Sequence, residues 1–303
     1  MRADYRAYAM LACTMFFWAG NAIAGRVVRD DIPPATLSLL RWTGALALLL
    51  PFAWTHLRRD RAALVARWRQ VVVLGLIGVA SFNTLYYLGL HDTTASNGLL
   101  LQALIPGLVL AFDRAIFGVR PGRLAVAGVA LATLGVAVIV FRGDYHAFRS
   151  LALGRGDVVI LIAVGLWAIY TSLLRTRPAV HPLSFLAATF LVAVVALAPI
   201  TALELLGGAT VRWSPTTIGT IAYVAILPSL VAYLFFNQAV ATIGAGAAGQ
   251  AINLMPVFGA LLAAGLLGEA LHPYHVAGMA MILAGLAVGI AGSRRVAKPG
   301  ATA

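Results

Sequence analysis

The sequence has few charged residues, and those it has are unevenly divided in sign. Of its 303 residues, 61% are hydrophobic and 11% are charged, with 10 acidic against 22 basic side chains. A soluble domain carries about 25% charged residues, and a soluble core cannot hide this much apolar surface. The composition therefore excludes an ordinary soluble protein and predicts a polytopic membrane protein surrounded by the lipid bilayer.

Three other features are missing, and each excludes a class of function. The single cysteine, Cys13, excludes a disulfide framework and a cysteine metal site within one chain. HExxH, GxSxG and a glycine-rich loop with lysine are absent, and the histidines lie outside the apolar stretches or at their ends. Basic residues lie mostly between apolar stretches, as membrane topology requires, so they do not indicate a nucleic-acid partner. We expect no enzyme activity, no metal and no cofactor.

Ten apolar stretches are long enough to cross the hydrocarbon, which takes about 20 residues. They cover residues 7–28, 34–53, 71–90, 94–112, 122–141, 157–175, 182–203, 215–236, 243–267 and 274–292. The longest connections are a basic loop after Trp54 and a central loop after Phe141. We therefore predict an all-α protein of ten transmembrane helices, divided into two five-helix units at 1–150 and 151–303.

The distribution of basic residues predicts the orientation of the chain. With the N-terminus inside, 15 Lys and Arg residues face the cytoplasm and 6 face the outside. Both termini are then cytoplasmic, and an odd number of spans per unit forces the second unit to insert upside down. The first stretch also resembles a signal peptide cleaved after residues 22–24. Its Trp18 and Arg26 recur as Trp167 and Arg175, however, which favours its retention as the first span.

The two units share an ungapped register. Leu100–Val119 aligns with Gln250–Glu269 at a distance of 150 residues, which places Pro106 on Pro256. Matched glycines follow at positions 128 and 278, and at 135 and 285. Because a proline inside a helix removes a backbone donor and kinks the chain, we predict that Pro106 and Pro256 act as hinges.

Polar and aromatic side chains inside the spans predict a substrate site between the units. Asn83, Tyr86 and Tyr87 are spaced i, i+3, i+4 and so share one helix face. Anchoring at the membrane interface and hydrogen bonding between helices are alternative roles that the sequence leaves open. The candidate lining consists of Trp18, Asn21, Asn83, Tyr86, Tyr87, Asn97, Gln102, Trp167, Tyr170, Asn237, Gln250 and Asn253, with Arg41 as an additional candidate.

Charged groups near the centre are scarce. Arg41 is the one basic residue well inside a span, and it either snorkels outward or takes part in binding, where a carboxylate would be its partner. All ten acidic residues lie in loops or at span ends. No carboxylate at the membrane centre is then available to carry a proton or sodium, and a strongly cationic substrate is disfavoured.

Four segments resemble the drug/metabolite transporter superfamily in its ten-helix EamA branch. They are FFWAGNAIAGR at 16–26, PATLSLLRW at 34–42, PVFGALLAAGLLGEAL at 256–271 and VAGMAMILAGLAV at 276–288. The resemblance covers essentially the whole chain as two halves, about 7–141 and 157–292. One departure is that the glutamate ending the fourth span is present as Glu269 but replaced by Val119 in the first half.

Within that branch, the chain is similar in length and in its aromatic-rich centre to bacterial amino-acid exporters of the YddG type. This resemblance implies export of aromatic and other neutral amino acids, or related metabolites, from the bacterial inner membrane by alternating access. We expect a small-molecule substrate and a monomer or weak homodimer. The alternatives are a drug or cation exporter of the same fold and a membrane scaffold without transport activity.

Overall fold

The computed structural model describes residues 2–93, 95–144, 154–267 and 270–296. Within these ranges the chain forms helices joined by turns, without a strand, and ten helical spans are long and apolar enough to cross a membrane. The prediction of an all-α protein with ten spans is confirmed. We number the spans α1 Asp4–Val27, α2 Pro34–Ala66, α3 Trp68–Asp92, α4 Leu100–Phe117, α5 Arg123–Val140, α6 Arg155–Thr176, α7 Pro182–Leu206, α8 Pro215–Ile243, α9 Ala245–Leu262 and α10 Pro273–Ala291.

Span α2 is much longer than its apolar stretch. It runs for 33 residues without a break, so the prediction of a basic loop after Trp54 is wrong. The Ala, Leu and Arg residues of this stretch are strong helix formers, and a helix continues easily after leaving the lipid. Its length is about 50 Å, well beyond the roughly 30 Å of the hydrocarbon core.

Spans α3 and α8 each contain a π-helical segment at the same place in the repeat. The segments are Gly75–Ser81 and Ala225–Val231, which lie 150 residues apart. A π segment shifts backbone carbonyls out of the regular hydrogen-bond ladder, and such segments are frequent at functional sites. The duplication therefore extends to irregular backbone that hydropathy does not reveal.

Spans α4 and α9 are each interrupted just before their prolines. The pieces are Ala95–Gln102 and Ile105–Phe117 in the first half, and Ala245–Gln250, the 3-10 segment Ala251–Leu254 and Met255–Leu267 in the second. Pro106 and Pro256 are each the second residue of the following piece, where a missing N–H breaks no helical hydrogen bond. Neither proline lies in the middle of a continuous helix, as the predicted kink requires, because each follows an interruption of its span. The action of the prolines as hinges stays a prediction.

The spans pair across the halves as a twofold axis requires. Span α1 packs on α8 and α3 on α6, while α2 packs on α7 and α5 on α10. A Cβ atom built on Gly128 would lie 2.5 Å from the carbonyl oxygen of Gly285, and one on Gly278 would lie 2.6 Å from that of Gly135. Because these contacts make the equivalent spans α5 and α10 antiparallel, the second half is inverted relative to the first, as predicted.

The surface of the bundle is apolar, and its polar side chains are turned inward. Leu206 is 84% exposed and Phe52 71% exposed, as expected for positions that face lipid. Most amide side chains within the spans are instead buried, among them Asn21, Asn83 and Gln102, although Gln238 near the end of α8 is exposed. This inward concentration of polar groups places the candidate site at the interface between the halves.

Candidate substrate site

Two tryptophans from equivalent positions meet at the centre of the bundle. Trp18 of α1 and Trp167 of α6 pack edge to face, with ring centroids 5.1 Å apart and an interplanar angle of 86°. Phe236 of α8 lies 5.2 Å from Trp18 and 5.4 Å from Trp167. Edge-to-face packing is a favoured geometry for aromatic rings, so both halves contribute to one stable aromatic wall.

The π segments supply the acceptors that orient this wall. Trp18 Nε1 donates a hydrogen bond of 3.0 Å to the Pro228 carbonyl, and Tyr233 Oη donates one of 2.7 Å to the Gly78 carbonyl. Pro228 and Gly78 are themselves equivalent, since each is the fourth residue of its π segment. The irregular backbone thus gives each ring a partner that a regular helix would have used internally.

A small chamber lies beside the aromatic wall. Its volume is about 20 Å³, which leaves room for only one or two water molecules. Its lining comes from both halves and consists of Trp18, Asn21, Ala22, Phe82, Asn83, Tyr86, Gln102, Ile105, Trp167, Tyr233, Ile252 and Met255. A metabolite-sized substrate enters only if the spans around the chamber move apart.

Arg41 of α2 joins four spans at the edge of the chamber. Its Nε donates to Ser229 Oγ of α8, and its Nη1 lies 3.0 Å from Asn21 Oδ1, 2.9 Å from Asn83 Oδ1 and 3.0 Å from Tyr87 Oη. The residue is 1% exposed, so it does not snorkel outward. We call these five residues the Arg41 cluster.

Further hydrogen bonds join members of the Arg41 cluster to one another and to Tyr233 of the second half. Asn83 Nδ2 donates to Tyr233 Oη at 3.3 Å, and the two residues are 150 positions apart. Tyr87 Oη donates to Asn21 Oδ1 at 2.7 Å. Tyr233 is absent from the predicted lining, although its repeat spacing from Asn83 is a signal that identifies it.

A larger cavity, which we call the vestibule, lies next to the Arg41 cluster. Its volume is about 380 Å³, and its lining consists of Gly25, Arg26, Arg29, Ile32, Pro34, Leu37, Tyr87, Leu90, His91, Thr93 and Arg142. Tyr87 borders the vestibule while its partner Asn21 borders the chamber, so the cluster separates the two cavities. The arginines of this lining give the vestibule a positive potential.

The structure brings six of the predicted site residues together in the chamber, namely Trp18, Asn21, Asn83, Tyr86, Gln102 and Trp167. Tyr87 and Arg41 lie at its boundary. Tyr86 of α3 and Gln102 of α4 both line the chamber, so the two spans meet there. The apolar lining residues, such as Phe82 and Met255, are missed because an apolar residue in an apolar span carries no signal of its position.

Four predicted residues lie outside the chamber lining but remain buried. Tyr170 Oη donates to Asn237 Oδ1 at 2.9 Å, in a layer next to the chamber. Gln250 packs against Gly289 of α10. Asn253 is 2% exposed within the 3-10 segment, and neither of its amide atoms is hydrogen-bonded to the described residues. The structure therefore does not place these four side chains in the chamber lining.

The fifth, Asn97, lies at one end of α6 in contact with an acidic residue. Asn97 Nδ2 donates a hydrogen bond of 3.3 Å to Asp157 Oδ1. Thr93 Oγ1 donates one of 2.5 Å to the same oxygen. At the other end of α6, Asp113 pairs with Arg175 and with Ser172. The two carboxylates lie at span ends, as predicted, yet Asp157 and Asp113 are only 2% and 5% exposed. Glu269 lies outside the described residues.

Several known proteins are similar to this chain over most of its length. The uncharacterized transporter YyaM of Bacillus subtilis is 29% identical over 71% of this chain and 70% of its own. An uncharacterized transporter of Archaeoglobus fulgidus is 28% identical over 93% of this chain and 96% of its own. A protein of Streptantibioticus cattleyicolor named "Probable terminal-alkyne amino-acid exporter" is 26% identical over 91% of this chain and 90% of its own.

A crystal structure and a family description agree with the duplicated architecture. The solved chain aligns over 96% of this protein and 99% of its own length with a TM-score of 0.79, and at 19% identity it shows that the fold is shared. The EamA-like transporter family matches the chain twice, at residues 5–141 and 154–290. With ten membrane spans arranged as two such units, this multi-pass membrane protein belongs to the EamA-like transporter family of the drug/metabolite transporter superfamily.

Proposed function

We propose that this transporter exports aromatic and other neutral amino acids, or related small metabolites, across the bacterial inner membrane by alternating access. The observation that carries the proposal is the chamber, which sets the Trp18 and Trp167 rings beside Asn21, Asn83 and Gln102. The rings suit an apolar or aromatic side chain. Each amide offers both a donor and an acceptor, which suits the two charged ends of a zwitterion.

One relative supports the amino-acid assignment by analogy. The similar protein of Streptantibioticus cattleyicolor carries the name of an amino-acid exporter, whereas the uncharacterized transporters name no substrate. Likeness within a family raises the expectation of a shared substrate class without fixing it. Membership of a transporter family argues against the alternative of a membrane scaffold without transport activity.

The small volume of the chamber supports alternating access, because the spans around it must move apart to admit a substrate. The Arg41 cluster closes it toward the vestibule, and the Asp113–Arg175 pair joins α4 to α6 at the opposite end of α6. The interruptions before Pro106 and Pro256 give α4 and α9 a place to bend. In the proposed orientation both termini are cytoplasmic and the vestibule faces outward. All of these elements belong to one chain, so we propose that a monomer suffices.

A counterflow screen in proteoliposomes tests the substrate. Purified protein is reconstituted, and uptake of labelled phenylalanine is measured against an internal excess of each neutral amino acid, with and without a pH gradient. We expect exchange with aromatic and large neutral amino acids, and none with quaternary ammonium compounds. Exchange of quaternary ammonium compounds without exchange of any amino acid would establish the cation-exporter alternative instead.

Substitution of the ring pair tests the site. Trp18→Ala and Trp167→Ala remove aromatic contacts worth about 0.5–1.5 kcal/mol beyond area burial, and we expect at least roughly tenfold lower phenylalanine flux per folded protein. Trp213→Ala is the matched control, because Trp213 is 63% exposed and distant from the chamber. Folded protein is quantified by size-exclusion chromatography. Equal flux in all three variants would remove the ring pair from the site.

A further inference from the structure

The guanidinium of Arg41 has a positive charge without a counter-charge. Arg41 is 1% exposed, and its hydrogen-bond partners are amide and hydroxyl oxygens. The ion pairs found among the described residues are Arg29–Asp30, Arg175–Asp113 and Arg212–Asp31, and none includes Arg41. Because a buried ion is stable only when it is paired or fully hydrogen-bonded, this position favours an anionic ligand.

The hydrogen bonds of Arg41 are unevenly distributed over its two terminal nitrogens. Nη1 has two N–H groups but faces three acceptors, on Asn21, Asn83 and Tyr87. Nη2 makes no hydrogen bond with the residues that the structure describes. A guanidinium presents its donors in a planar fork that matches a carboxylate in a two-point contact. Three acceptors therefore compete for the two N–H groups of Nη1, while Nη2 still has its N–H groups to offer to a ligand.

Arg41 lines neither cavity itself, but its hydrogen-bond partners belong to the linings of both. Asn21 and Asn83 line the chamber, and Tyr87 lines the vestibule. Arg26, Arg29 and Arg142 line the vestibule, where they raise the local concentration of anions. A carboxylate that moved between the cavities would have to replace the Tyr87 hydroxyl in order to bind Nη1 of Arg41.

An ammonium group has no comparable partner. The chamber lining contains amides, phenols, indoles and apolar groups and includes no acidic side chain. Recognition by charge is thus one-sided, and the amino group of an amino acid contributes less to binding than its carboxylate does.

We propose that Arg41 is the carboxylate-binding residue of the transport site and that the protein carries apolar monocarboxylates, with or without an α-amino group. The proposal rests on the proposed function in that the same chamber holds the apolar part of the substrate. It extends the substrate class from amino acids to aromatic carboxylic acids and excludes amines.

Four probes of one shape test the proposal: phenylalanine, 3-phenylpropionate, phenylalaninamide and phenethylamine. Binding to the purified full-length protein is measured by calorimetry, and competition with phenylalanine counterflow is measured in proteoliposomes. We expect 3-phenylpropionate to bind within a few-fold of phenylalanine, and both neutralised or decarboxylated compounds to bind roughly 10- to 100-fold more weakly. Equal binding of phenethylamine and 3-phenylpropionate would overturn the proposal.

Three variants separate recognition from folding. Arg41→Gln is expected to weaken 3-phenylpropionate binding roughly 10- to 100-fold while leaving the weak binding of phenethylamine unchanged. Tyr87→Phe removes a competing acceptor from Nη1 and is expected to strengthen carboxylate binding, so it remains informative if Arg41→Gln fails to fold. Tyr170→Phe is the control, because it deletes the equivalent hydrogen bond to Asn237 in the second half, and that bond does not include Arg41. Weaker carboxylate binding by Tyr87→Phe than by Tyr170→Phe would overturn the proposal.

The two proposals fail in distinguishable ways. If 3-phenylpropionate binds and phenylalanine is not exchanged, amino-acid export is wrong and carboxylate recognition stands. If phenylalanine is exchanged and 3-phenylpropionate does not bind, amino-acid export stands and the carboxylate proposal is wrong.

Discussion

The two halves contain the same tyrosine–asparagine hydrogen bond with the residue types exchanged. In the first half Tyr87 of α3 donates to Asn21 of α1 at 2.7 Å, and in the second half Tyr170 of α6 donates to Asn237 of α8 at 2.9 Å. Position 87 is equivalent to 237, and position 21 to 170. The bond joins the same pair of helices in both halves, so the link is duplicated although its donor has changed sides.

The surroundings of the two bonds differ. Arg41 adds a charge to the first, and the equivalent position in α7 is occupied by Thr189. The Thr189 hydroxyl donates to carbonyls of its own helix, those of Phe185 and Leu186, both at 3.0 Å. The first bond also borders the vestibule, because Tyr87 belongs to the vestibule lining. Duplication supplied the shared backbone, and divergence at single positions gave one end of the transporter its charge.

The largest expected effect concerns the shared backbone. Gly128→Leu and Gly278→Leu both place a side chain against a backbone carbonyl at the α5–α10 crossing. We expect each to lower the free energy of unfolding by about 3 kcal/mol, because equivalent carbonyls of the opposite span, those of Gly285 and Gly135, obstruct the two side chains. Thermal melting of detergent-solubilised protein measures this. Gly165→Leu is the control, since a Cβ atom there meets nothing within 4 Å. A large difference between Gly128→Leu and Gly278→Leu would contradict the symmetry.

The second prediction contrasts Arg41 with Thr189. Arg41→Ala leaves the buried oxygens of Asn21, Asn83 and Tyr87 without their shared donor, and we expect a loss of stability of about 2 kcal/mol. Thr189→Ala removes a hydroxyl that only supplements existing helical bonds, so we expect a change of about 0.5 kcal/mol or less. The measurement is again thermal melting. Equal losses would contradict the difference in hydrogen bonding between the two positions.

The third prediction contrasts the two ends of α6. Asp113→Asn weakens the pair with Arg175, and Asp157→Asn weakens the contacts with Thr93 and Asn97. Each is expected to destabilise closure at its own end by about 1 kcal/mol. A cysteine placed at Ala22 in a Cys13→Ala background reports access, because Ala22 lines the chamber.

Labelling of that cysteine by a membrane-impermeant thiol reagent from each side of oriented vesicles should rise from opposite sides in the two aspartate variants. Increases from the same side would contradict the assignment of the two pairs to opposite ends. Labelling of the Ala22→Cys, Cys13→Ala protein that keeps both Asp113 and Asp157 provides the baseline.

The last prediction concerns the duplicated hydrogen bond itself, where the expected effect is as small as that at the ends of α6. Tyr87→Phe and Tyr170→Phe each delete one bond to an asparagine, and we expect each to lower stability by about 1 kcal/mol. Their effects on transport should nevertheless differ, because only Tyr87 contacts Arg41. Counterflow measured beside thermal melting separates the two effects. Identical changes in flux would remove the functional asymmetry between the halves.

Much of the fold is predictable from the sequence because its signals are local. Each span follows from a run of apolar residues, and the repeat follows from ungapped matches such as Pro106 on Pro256. The length of α2 is mispredicted because hydropathy ends with the apolar residues whereas helix propensity does not. The π segments have no pattern of their own in hydropathy and became visible only in the backbone.

The candidate site was predictable in part. Trp18 and Trp167 are identified by their repeat spacing, and they meet at 5.1 Å. Asn97 and Gln250 are polar residues within spans like the others, but they face Asp157 and Gly289 instead of the chamber. Helix periodicity gives the face of a residue within its own span, and it does not give the rotation of that span against its neighbours.

The sequence by itself determined the number of spans, the duplication and the polar residues available, because each is a property of neighbouring residues along the chain. Only the tertiary structure decided that Arg41 of α2 meets Asn21, Asn83, Tyr87 and Ser229, since these four partners come from three other spans, α1, α3 and α8. In lipid, a polar side chain must find its partners on other helices, and which helix supplies them depends on packing across the whole bundle.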